Sequence, residues 1–366
     1  MATPRLSRVA SRPGGDPDAP PRVSVVVPAR NEELAIELAV RSHLEQDYPP
    51  DRFEVVVVDD RSTDATGAIL DRLAADHPRL IVVHGAEPPP GWLGKPHALH
   101  QGITRATGEL LLLADADVRY DRRALREAVA LLESRRVDLL ALFPHLEMEG
   151  FWENVLLPYV PASFFLGPGA LLNSDLQKRW AVGAGAGMLM RRGAYERAGG
   201  HEAIRSSVID DLHLALNVRR SGGRCRIARA DDRMSLRMYR GYREVRDGFT
   251  KNIAWVFDGV TGVLLALSTL LSIAAYVLPP AVLAAALFGA SVSRADVVLA
   301  AAGWGGMVAA RLGMAAALRY PLWAAFTQPL MALAWTEIIV RSFVRRFLRR
   351  EVEWRGRRYD AKGASF

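Results

Sequence analysis

The sequence predicts an α/β domain with a mainly parallel sheet, followed by a C-terminal transmembrane helical region. In the first half, short apolar runs alternate with stretches of helical length, which is the pattern of βαβ units. Residues 259–340 contain five charged residues, and so apolar a stretch is more stable in lipid than in water. Residues 341–366 are strongly basic, as is typical of a segment beside a membrane surface.

Apolar runs bounded by turn residues predict the strands. We expect strands at residues 23–27, 54–58, 80–84, 138–143 and 224–228, with a further strand beginning at residue 110. We expect helices at residues 31–46, 65–75, 95–106, 122–134, 195–198, 208–220 and 242–256. Asn31 is expected to cap the first of these helices and Asp64 or Thr63 the second, because their side-chain oxygens can accept free N–H groups.

The apolar C-terminal part predicts two or three membrane helices. Strong spans are expected near residues 297–318 and 321–343, and residues 260–290 are long enough for another, although Pro279 and Pro280 interrupt it. Three spans after a cytoplasmic domain would place the basic tail outside, whereas the positive-inside rule favours a cytoplasmic tail. The number of spans therefore stays open at this point.

Charge and cysteine content exclude several classes of protein. The net charge is +7, yet residues 1–258 hold 35 basic and 35 acidic side chains, so the basic excess lies in the membrane part and argues against nucleic-acid binding. The single cysteine, Cys225, excludes an internal disulfide and a cysteine metal site. Residues 1–22 lack the apolar core of a signal peptide, so we expect them to be disordered and the α/β domain to be cytoplasmic.

These observations divide the chain into four parts. They are a disordered N-terminus (1–22), an α/β domain (23–258), a transmembrane region (259–343) and a basic juxtamembrane tail (344–366). Within the domain, residues 151–172 are apolar but contain three prolines, so they cannot form one regular spanning helix. An interfacial or groove-forming segment and an ordinary core segment are equally good interpretations of this stretch.

The stretch LLLLADADV, residues 110–118, carries the first chemical signal. Alternation along a strand would direct Asp115 and Asp117 to the same side, with Ala116 opposite. Two carboxylates so close repel each other, and a divalent cation between them would remove that repulsion. The alternative interpretation is a polar loop at the end of a strand, because a D-x-D sequence alone is a weak signal.

Further charged residues follow other predicted strands or begin helices. They are Asp59 and Asp60 after the second strand, Lys95 at a helix start, and Asp210 and Asp211 at another helix start. Carboxylates at strand ends can bind a base and a ribose, and a lysine can bind phosphate. Together with the D-x-D pair they predict a pocket for a nucleotide diphosphate. Alone, Asp210 and Asp211 could instead be first-turn acids favoured by the helix dipole.

Five motifs follow one another in the α/β domain. They are VSVVVPARNEE (23–33), VVVVDDRSTDAT (55–66), GWLGKPHAL (91–99), LLLADADV (111–118) and VIDDLHLAL (208–216). This ordered set resembles family 2 glycosyltransferases, which have the Rossmann-like GT-A fold. More narrowly, GWLGK, AGGHEAI (198–204), SLRMYRGYREVRDGFTKN (235–252) and WRGRRY (354–359) resemble the membrane-bound enzymes associated with hopanoid and carotenoid glycosylation.

The resemblance implies roles for individual residues. Pro28, Glu32, Asp59 and Asp60 match positions that contact the uracil and ribose of a UDP-sugar, and Lys95 and Asp115 match positions near its diphosphate. Asp115 and Asp117 match the ligands of Mg²⁺ or Mn²⁺, and Asp211 matches the catalytic base with Asp210 as its neighbour. The implied partners are a UDP-sugar, a lipid acceptor such as a hopanoid, carotenoid or other polyprenoid, and the bilayer.

The expected reaction is an inverting transfer of one sugar at the cytoplasmic (inner) membrane by a multi-pass protein. Processive relatives carry a Q-x-x-R-W motif, whereas Lys251 to Trp255 read KNIAW here, which favours a single transfer. A processive polysaccharide synthase and a catalytically silent protein that binds nucleotide-sugars are the alternatives. The glycine-rich run at residues 183–187 suggests a dinucleotide loop, but its position favours a tightly packed strand or loop beside the acceptor site.

Overall fold

A computed structural model describes residues 3–8, 20–165, 180–256, 259–346, 351–354 and 357–360. The chain forms two compact units. The first comprises Met1–Glu147, Pro168–Met238 and Trp354–Phe366, and the second comprises Met148–Gly167 and Tyr239–Glu353. These units group residues by contact, and the division into soluble and transmembrane regions made from the sequence stays a prediction.

The strands and helices follow each other in the expected alternation through the first unit. In chain order the strands are β1 (Val23–Ala29), β2 (Phe53–Asp59), β3 (Leu80–His84), β4 (Leu110–Leu113), β5 (Arg119–Tyr120), β6 (Leu139–Phe143), β7 (His145–Leu146), β8 (Met188–Arg191), β9 (Cys225–Arg229), β10 (Met234–Leu236), β11 (Glu351–Trp354) and β12 (Arg357–Asp360). The helices are α1 (Ile36–Leu44), α2 (Thr66–Asp76), α3 (Gly94–Arg105), α4 (Ala124–Ser134), α5 (Phe151–Leu156), α6 (Tyr159–Phe165), α7 (Arg192–Arg197), α8 (Asp210–Arg220), α9 (Gly241–Val256), α10 (Gly259–Tyr276), α11 (Leu278–Leu287), α12 (Arg294–Leu318) and α13 (Gln328–Val344).

The first unit is built on a seven-stranded sheet in the order β3-β2-β1-β4-β8-β6-β9. All neighbouring strands are parallel except β8, which is antiparallel to both β4 and β6. The predicted α/β class with a mainly parallel sheet is therefore confirmed. Every residue of β2 and β4 is buried, as expected for strands that are covered on both faces. A second, three-stranded sheet has the order β5-β10-β7.

The N-terminal residues differ from the prediction that residues 1–22 are disordered. Arg5 forms an ion pair with Asp231 at 2.9 Å, and Leu6 is fully buried in a short 3₁₀ helix, Leu6–Arg8. The backbone N–H of Arg229 donates to the carbonyl of Pro4 at 2.8 Å, so these residues extend the edge of the sheet at β9. Residues 9–19 lie outside the described part of the chain.

The first helix begins later than predicted. Asn31 has φ 51° and therefore cannot be the N-cap of a helix that starts at residue 32, and α1 begins at Ile36. The side-chain oxygen of Asn31 instead accepts the N–H of Thr63 at 2.8 Å. The predicted cap of α2 at Asp64 or Thr63 is also wrong, because α2 begins at Thr66 and its N-cap is Ala65, which makes no side-chain cap. The carboxylate of Asp64 still accepts the N–H of Thr66 at 3.0 Å from just before the helix.

The second unit is helical. In it α5 and α6 divide the proline-containing stretch at Pro158, with Glu153 and Asn154 buried and Phe151 about half exposed, so both interpretations of this stretch stay open. Residues 166–172 of that stretch lie outside the described residues. The ring of Phe151 stacks on that of Trp323 with centroids 5.5 Å apart.

Among the described residues of the second unit, two helical segments are long and apolar enough to cross a membrane, Thr261–Leu287 and Arg294–Leu318. The second agrees with the span predicted at 297–318. The predicted span at 321–343 is wrong as a single helix, because a 3₁₀ helix, Leu322–Thr327, precedes the 17-residue α13. Proline explains the break between α10 and α11 and the break between the 3₁₀ helix and α13. It fits the first turn of a helix, where it lies in both α11 and α13, and it does not fit a helix interior.

Candidate active site

Lys95 is the centre of a charged cluster in the first unit. It lies in the first turn of α3, after the loop that follows β3. Its ammonium nitrogen Nζ is 2.7 Å from Oδ1 of Asp115 and 3.8 Å from Oδ1 of Asp210. The cluster therefore joins three stretches that are far apart in the sequence, and the structure brings these predicted site residues together.

The cluster changes the protonation of its members. Burial would lower the pKa of Lys95, but the charges of Asp115, Asp210 and Asp211 outweigh it and raise the pKa, so the side chain stays protonated. The pKa of Asp210 is raised to about 6, because burial disfavours its charged form and the carboxylates of Asp211 and Asp115 add to this effect, while Lys95 opposes it. Asp210 therefore keeps its proton to a higher pH than an ordinary aspartate does.

Asp115 and Asp117 follow β4 rather than belonging to it. The strand ends at Leu113, and Ala116 and Asp117 form a turn, so the expected strand alternation does not apply to the two acids. Ala116 is nevertheless buried, while Asp115 and Asp117 are partly exposed. Lys95 forms ion pairs with Asp115, the first acid of the D-x-D pair, and with Asp210.

The donor set at this turn fits a hard divalent cation. Among the described residues, three or more His, Cys, Asp or Glu side chains do not converge as a metal site. Mg²⁺ and related ions, however, are commonly held by one or two carboxylates together with substrate phosphates and water. The Asp115 side chain is 36% exposed, so its carboxylate is accessible to such a ligand set.

Asp211 is held at the start of α8 by two backbone N–H groups. Its Oδ2 accepts from Gly185 at 3.1 Å, and its Oδ1 accepts from Leu212 at 2.8 Å. Gly185 also accepts the N–H of Asp115 through its carbonyl oxygen at 3.0 Å. One glycine therefore links the D-x-D turn to the predicted base.

The run GAGAG, residues 183–187, is packed so closely that its glycines have no room for a side chain. A Cβ at Gly183 would lie 2.1 Å from the carbonyl oxygen of Asp211, and one at Gly185 would lie 2.6 Å from Oδ2 of Asp115. A Cβ at Gly187 would lie 2.6 Å from the hydroxyl of Tyr120. The predicted tightly packed loop is correct, and its alternating glycines were the sequence signal for its contact with the acids.

The residues expected to contact the nucleoside lie at the ends of β1 and β2. Ala29 and Asp59 are register partners, and the N–H of Asp60 donates to the carbonyl of Ala29 at 2.8 Å, which places both acids beside the residue that follows Pro28. Oδ1 of Asp59 accepts the N–H of Ser62 at 3.0 Å, so it orders the turn after β2. The backbone N–H of Glu32 donates to the Thr66 hydroxyl at 2.8 Å and ties the loop after β1 to α2.

His201 is a buried residue near Lys95 that the sequence did not single out as a site residue. Its Nδ1 is 3.0 Å from the Tyr195 hydroxyl, and the same hydroxyl accepts the backbone N–H of His201 at 3.0 Å. Burial, together with the charge of Lys95, lowers the pKa of His201 to about 3. Within the described residues Nε2 has no hydrogen-bond partner. The sequence feature that could have identified His201 is the preceding pair Gly199-Gly200. Both glycines have positive φ, and a Cβ at Gly200 would lie 2.8 Å from the Tyr195 ring.

Comparison with known proteins gives related sequences. The chain is 32% identical over 208 residues to the beta-monoglucosyldiacylglycerol synthase of Synechocystis sp., covering 54% of this chain and 40% of that protein. It is 26% identical over 242 residues to the 4,4'-diaponeurosporenoate glycosyltransferase of Staphylococcus aureus (strain MRSA252), covering 63% of this chain and 60% of that one. The chain thus spans less than two thirds of the length of these curated relatives.

A solved structure resembles nearly the whole chain. It is the mannosyltransferase PcManGT from Pyrobaculum calidifontis in complex with GDP-Man and Mn²⁺, with 26% sequence identity and a TM-score of 0.58, covering 94% of this chain and 92% of that one. The family model described as "Glycosyl transferase family 21" matches residues 2–364. The predicted resemblance to glycosyltransferases of the GT-A fold is confirmed, and the chain belongs to glycosyl transferase family 21.

Proposed function

We propose that this glycosyltransferase moves one sugar from a nucleotide-sugar, of which a UDP-sugar is favoured, to a lipid acceptor in a membrane, with inversion at the anomeric carbon. The observation that carries the proposal is the Lys95 cluster, in which one cation contacts both the D-x-D acid Asp115 and Asp210 beside the predicted base. A diphosphate has the charge that such a lysine binds, and the carboxylates on either side can serve a metal and the acceptor.

The nucleoside is expected at the ends of β1 and β2. Asp59 and Asp60 offer carboxylates there for a base and a ribose, beside Pro28 and Glu32. The loop of Gly91 to Leu93 is fixed by a hydrogen bond from the N–H of Leu93 to the carbonyl of Arg205 at 2.8 Å, which orders the entry to α3. Lys95 then binds the diphosphate as a point charge.

Asp115 and Asp117 are the residues that would hold Mg²⁺ or Mn²⁺. When bound, such an ion neutralises the negative charge that develops on the departing nucleotide. The solved relative from Pyrobaculum calidifontis carries Mn²⁺ together with its sugar nucleotide, which supports this assignment. Lys95 contributes a second positive charge to the same leaving group.

Asp211 is proposed as the base that takes the proton from the acceptor hydroxyl. It is partly exposed, so an acceptor can reach it, whereas Asp210 is buried against Lys95. Its two backbone N–H partners fix the direction of the carboxylate. A single base that assists direct attack on the anomeric carbon leads to inversion.

A lipid acceptor agrees with the surface of the second unit. Large apolar side chains are exposed along α10 and α12, among them Leu264, Leu267, Leu271, Val298 and Leu299. Apolar patches of this kind mark membrane or protein contacts in proteins. Two of the relatives are named for glycosylating a diacylglycerol and a carotenoid acid, which are both lipids, and this supports a membrane-bound location for the enzyme.

The test is a transfer assay with the purified chain in detergent. The protein is incubated with UDP-sugars and GDP-mannose, Mn²⁺ or Mg²⁺ and a total lipid extract, and products are identified by mass. We expect a lipid that gains one sugar, with no product from the Asp211→Asn variant and none after chelation.

The same assay separates the alternatives. Products that carry several added sugars would support a processive synthase. Nucleotide binding without any glycosylated lipid, across the whole donor panel, would support a silent binding protein and contradict the proposal.

A further inference from the structure

Arg311 is a buried cation inside an apolar helix of the second unit. It lies in the 25-residue α12, which is long and apolar enough to cross a membrane, and it is 4% exposed. An arginine keeps its charge in proteins, and an ionised group within a membrane helix is expensive and usually functional. The partners of its guanidinium group therefore decide what this residue does.

The protein itself satisfies the guanidinium group poorly. Its Nη2 donates to the carbonyl of Asn154 at 3.4 Å, which is a long contact, and its Nη1 donates to the sulfur of Met314 at 3.7 Å, which is a weak acceptor. Its carbon atom Cζ lies 4.3 Å from the ring centroid of Tyr159. Within the described residues Nε has no hydrogen-bond partner, and Arg311 forms no ion pair with a carboxylate.

The residue that Arg311 contacts also has an unused polar atom. The side-chain nitrogen Nδ2 of Asn154 donates to the carbonyls of Met148 at 3.2 Å and Gly150 at 2.9 Å, which fixes the orientation of the amide. Its Oδ1 is buried and has no partner in the described part of the chain. A buried donor and a buried acceptor on two residues in contact are therefore both unsatisfied, which is costly without a ligand.

The surroundings indicate that a lipid supplies this ligand. Arg311 lies seven residues before Leu318, the last residue of α12, which corresponds to about 10 Å along a helix. Ala315 and Leu318 pack with Ala162 and Tyr320 in a small apolar cluster on the same stretch of helix. An anion reaches such a position most readily as the head group of a bilayer lipid, which basic sites between membrane helices bind.

We propose that Arg311, with Asn154, binds the anionic head group of a membrane phospholipid. The phosphate oxygens accept from the guanidinium group, and a head-group hydroxyl, as in phosphatidylglycerol, donates to Oδ1 of Asn154. The site stabilises the helices of the second unit when a lipid is bound. It rests on the proposed membrane location and is independent of the transfer reaction, so it can fail while the proposed function holds.

The test compares lipid retention by the full chain in nanodiscs of phosphatidylcholine with and without phosphatidylglycerol. Retained lipids are counted by native mass spectrometry, and the unfolding temperature is measured in parallel. The variants are Arg311→Gln, which removes the charge, Arg311→Lys, which keeps it, and Arg294→Gln, a matched control that removes an exposed arginine from the first turn of the same helix.

The wild-type chain is expected to retain phosphatidylglycerol and to unfold at a higher temperature when it is present. Arg311→Gln should retain it at least about tenfold less, since hydrogen bonds to charged groups are among the stronger ones. Arg294→Gln should behave like the wild type and Arg311→Lys should lie between. If Arg311 merely tied α12 to Tyr159, the glutamine variant would unfold earlier in both lipid mixtures and keep its preference for phosphatidylglycerol, which overturns the proposal.

Two further results are decisive. If inorganic phosphate in phosphatidylcholine discs raised the unfolding temperature as much as phosphatidylglycerol does, the site would take a free anion and the lipid assignment would be wrong. If Arg311→Gln did not fold, the wild-type chain and Arg311→Lys would still test the proposal. A wild-type chain that does not prefer the anionic lipid would contradict the proposed site.

Discussion

Lys95 and Arg311 are two largely buried cations whose surroundings are opposite. Lys95 is 22% exposed and has Asp115 at 2.7 Å and Asp210 at 3.8 Å. Arg311 is more buried, and its neighbours in the described chain are a carbonyl, a sulfur atom and an aromatic ring. The first cation is surrounded by excess negative charge, whereas the second has no carboxylate partner among the described residues.

The difference explains what each cation can do. Carboxylates around Lys95 outnumber it, so a further positive charge such as a divalent cation stabilises the cluster. The ammonium group of Lys95 can then pair with a phosphate in place of a carboxylate. No described carboxylate balances the charge of Arg311, so its guanidinium group is stabilised by an anion. The predictions below test this comparison from the largest expected effect to the smallest.

The largest effect is expected from Asp211→Asn. Loss of a general base lowers a rate by about 100- to 10,000-fold, and transfer should fall by that range while nucleotide binding stays. Initial rates of lipid glycosylation and the affinity for UDP measure the two quantities. Asp51→Asn, at an exposed loop residue before β2, is the control and should keep the wild-type rate. An unchanged transfer rate in the Asp211→Asn variant would contradict the assignment of Asp211 as the general base.

Lys95→Met should come next. The change leaves the diphosphate without its positive partner, so transfer should fall by about 100- to 1,000-fold, and the KM for the nucleotide-sugar should rise. Lys95→Arg keeps the charge and should lose less. Equal losses in the two variants would mean that the shape of the lysine matters and its charge does not.

Gly185→Ala tests the loop that links the two acids. The new Cβ would lie 2.6 Å from Oδ2 of Asp115 and 3.3 Å from Nζ of Lys95, so the ion pair must shift. A displacement of about 1 Å in a site lowers rates by up to about 100-fold, and we expect a loss of about tenfold or more in kcat/KM. Gly193→Ala is the control, because its Cβ meets its nearest neighbour at 3.4 Å. A loss shared by both variants would contradict a specific role for Gly185.

The sequence predicted the charged cluster better than the packing around it. Lys95, Asp115 and Asp210 were expected together because each follows a strand or begins a helix at the same edge of the sheet. The contacts of the GAGAG run depend on β8, the antiparallel strand between β4 and β6, and pairing between distant strands is not encoded in local patterns.

The fold, too, was predicted where it depends on local sequence patterns and missed where it depends on contacts between distant residues. Continuous apolar runs predicted β1, β2 and β4, because strands that are buried on both faces need apolar side chains throughout. The start of α1 was wrong, since Asn31 bonds to Thr63, 32 residues away, instead of capping its own helix. The docking of Leu6 and Arg5 was also missed, because the partner Asp231 lies at the other end of the unit's sequence.

Asp210→Asn should raise stability while it lowers activity. The pKa of Asp210 is raised from 3.8 to about 6, so the folded protein binds this proton more tightly than the unfolded chain, and the free energy of unfolding falls as the pH rises from about 4 to about 6. In the Asp210→Asn variant the free energy of unfolding does not fall in this way, so the variant should be more stable than the wild type at pH 7 by on the order of 2 kcal/mol.

Thermal unfolding at pH 4 and pH 7 measures the effect of Asp210→Asn. The two proteins should differ least at pH 4, where the wild-type carboxyl is protonated in the folded state. A variant that is less stable than the wild type at pH 7 would show that the Lys95 attraction outweighs the burial of Asp210.

Tyr159→Leu is expected to have the smallest effect. It removes the ring over Arg311 and should lower stability by about 1 kcal/mol in neutral detergent. The loss should shrink when phosphatidylglycerol is added, because the head group then stabilises the guanidinium group. A loss of stability that is the same with and without phosphatidylglycerol would indicate that the ring packs against the helix and does not stabilise the guanidinium charge.

The central claim is that Lys95 joins the D-x-D turn and the base helix in one nucleotide-sugar site. Calorimetric titration of UDP with Mn²⁺ into the wild-type chain, Lys95→Met and Asp211→Asn tests it most directly. We predict that UDP affinity falls about tenfold or more in Lys95→Met and after chelation of the metal, because charged contacts to phosphate are lost, and that it is unchanged in Asp211→Asn. Equal UDP affinity in the wild-type chain and in Lys95→Met, with and without metal, would contradict the account.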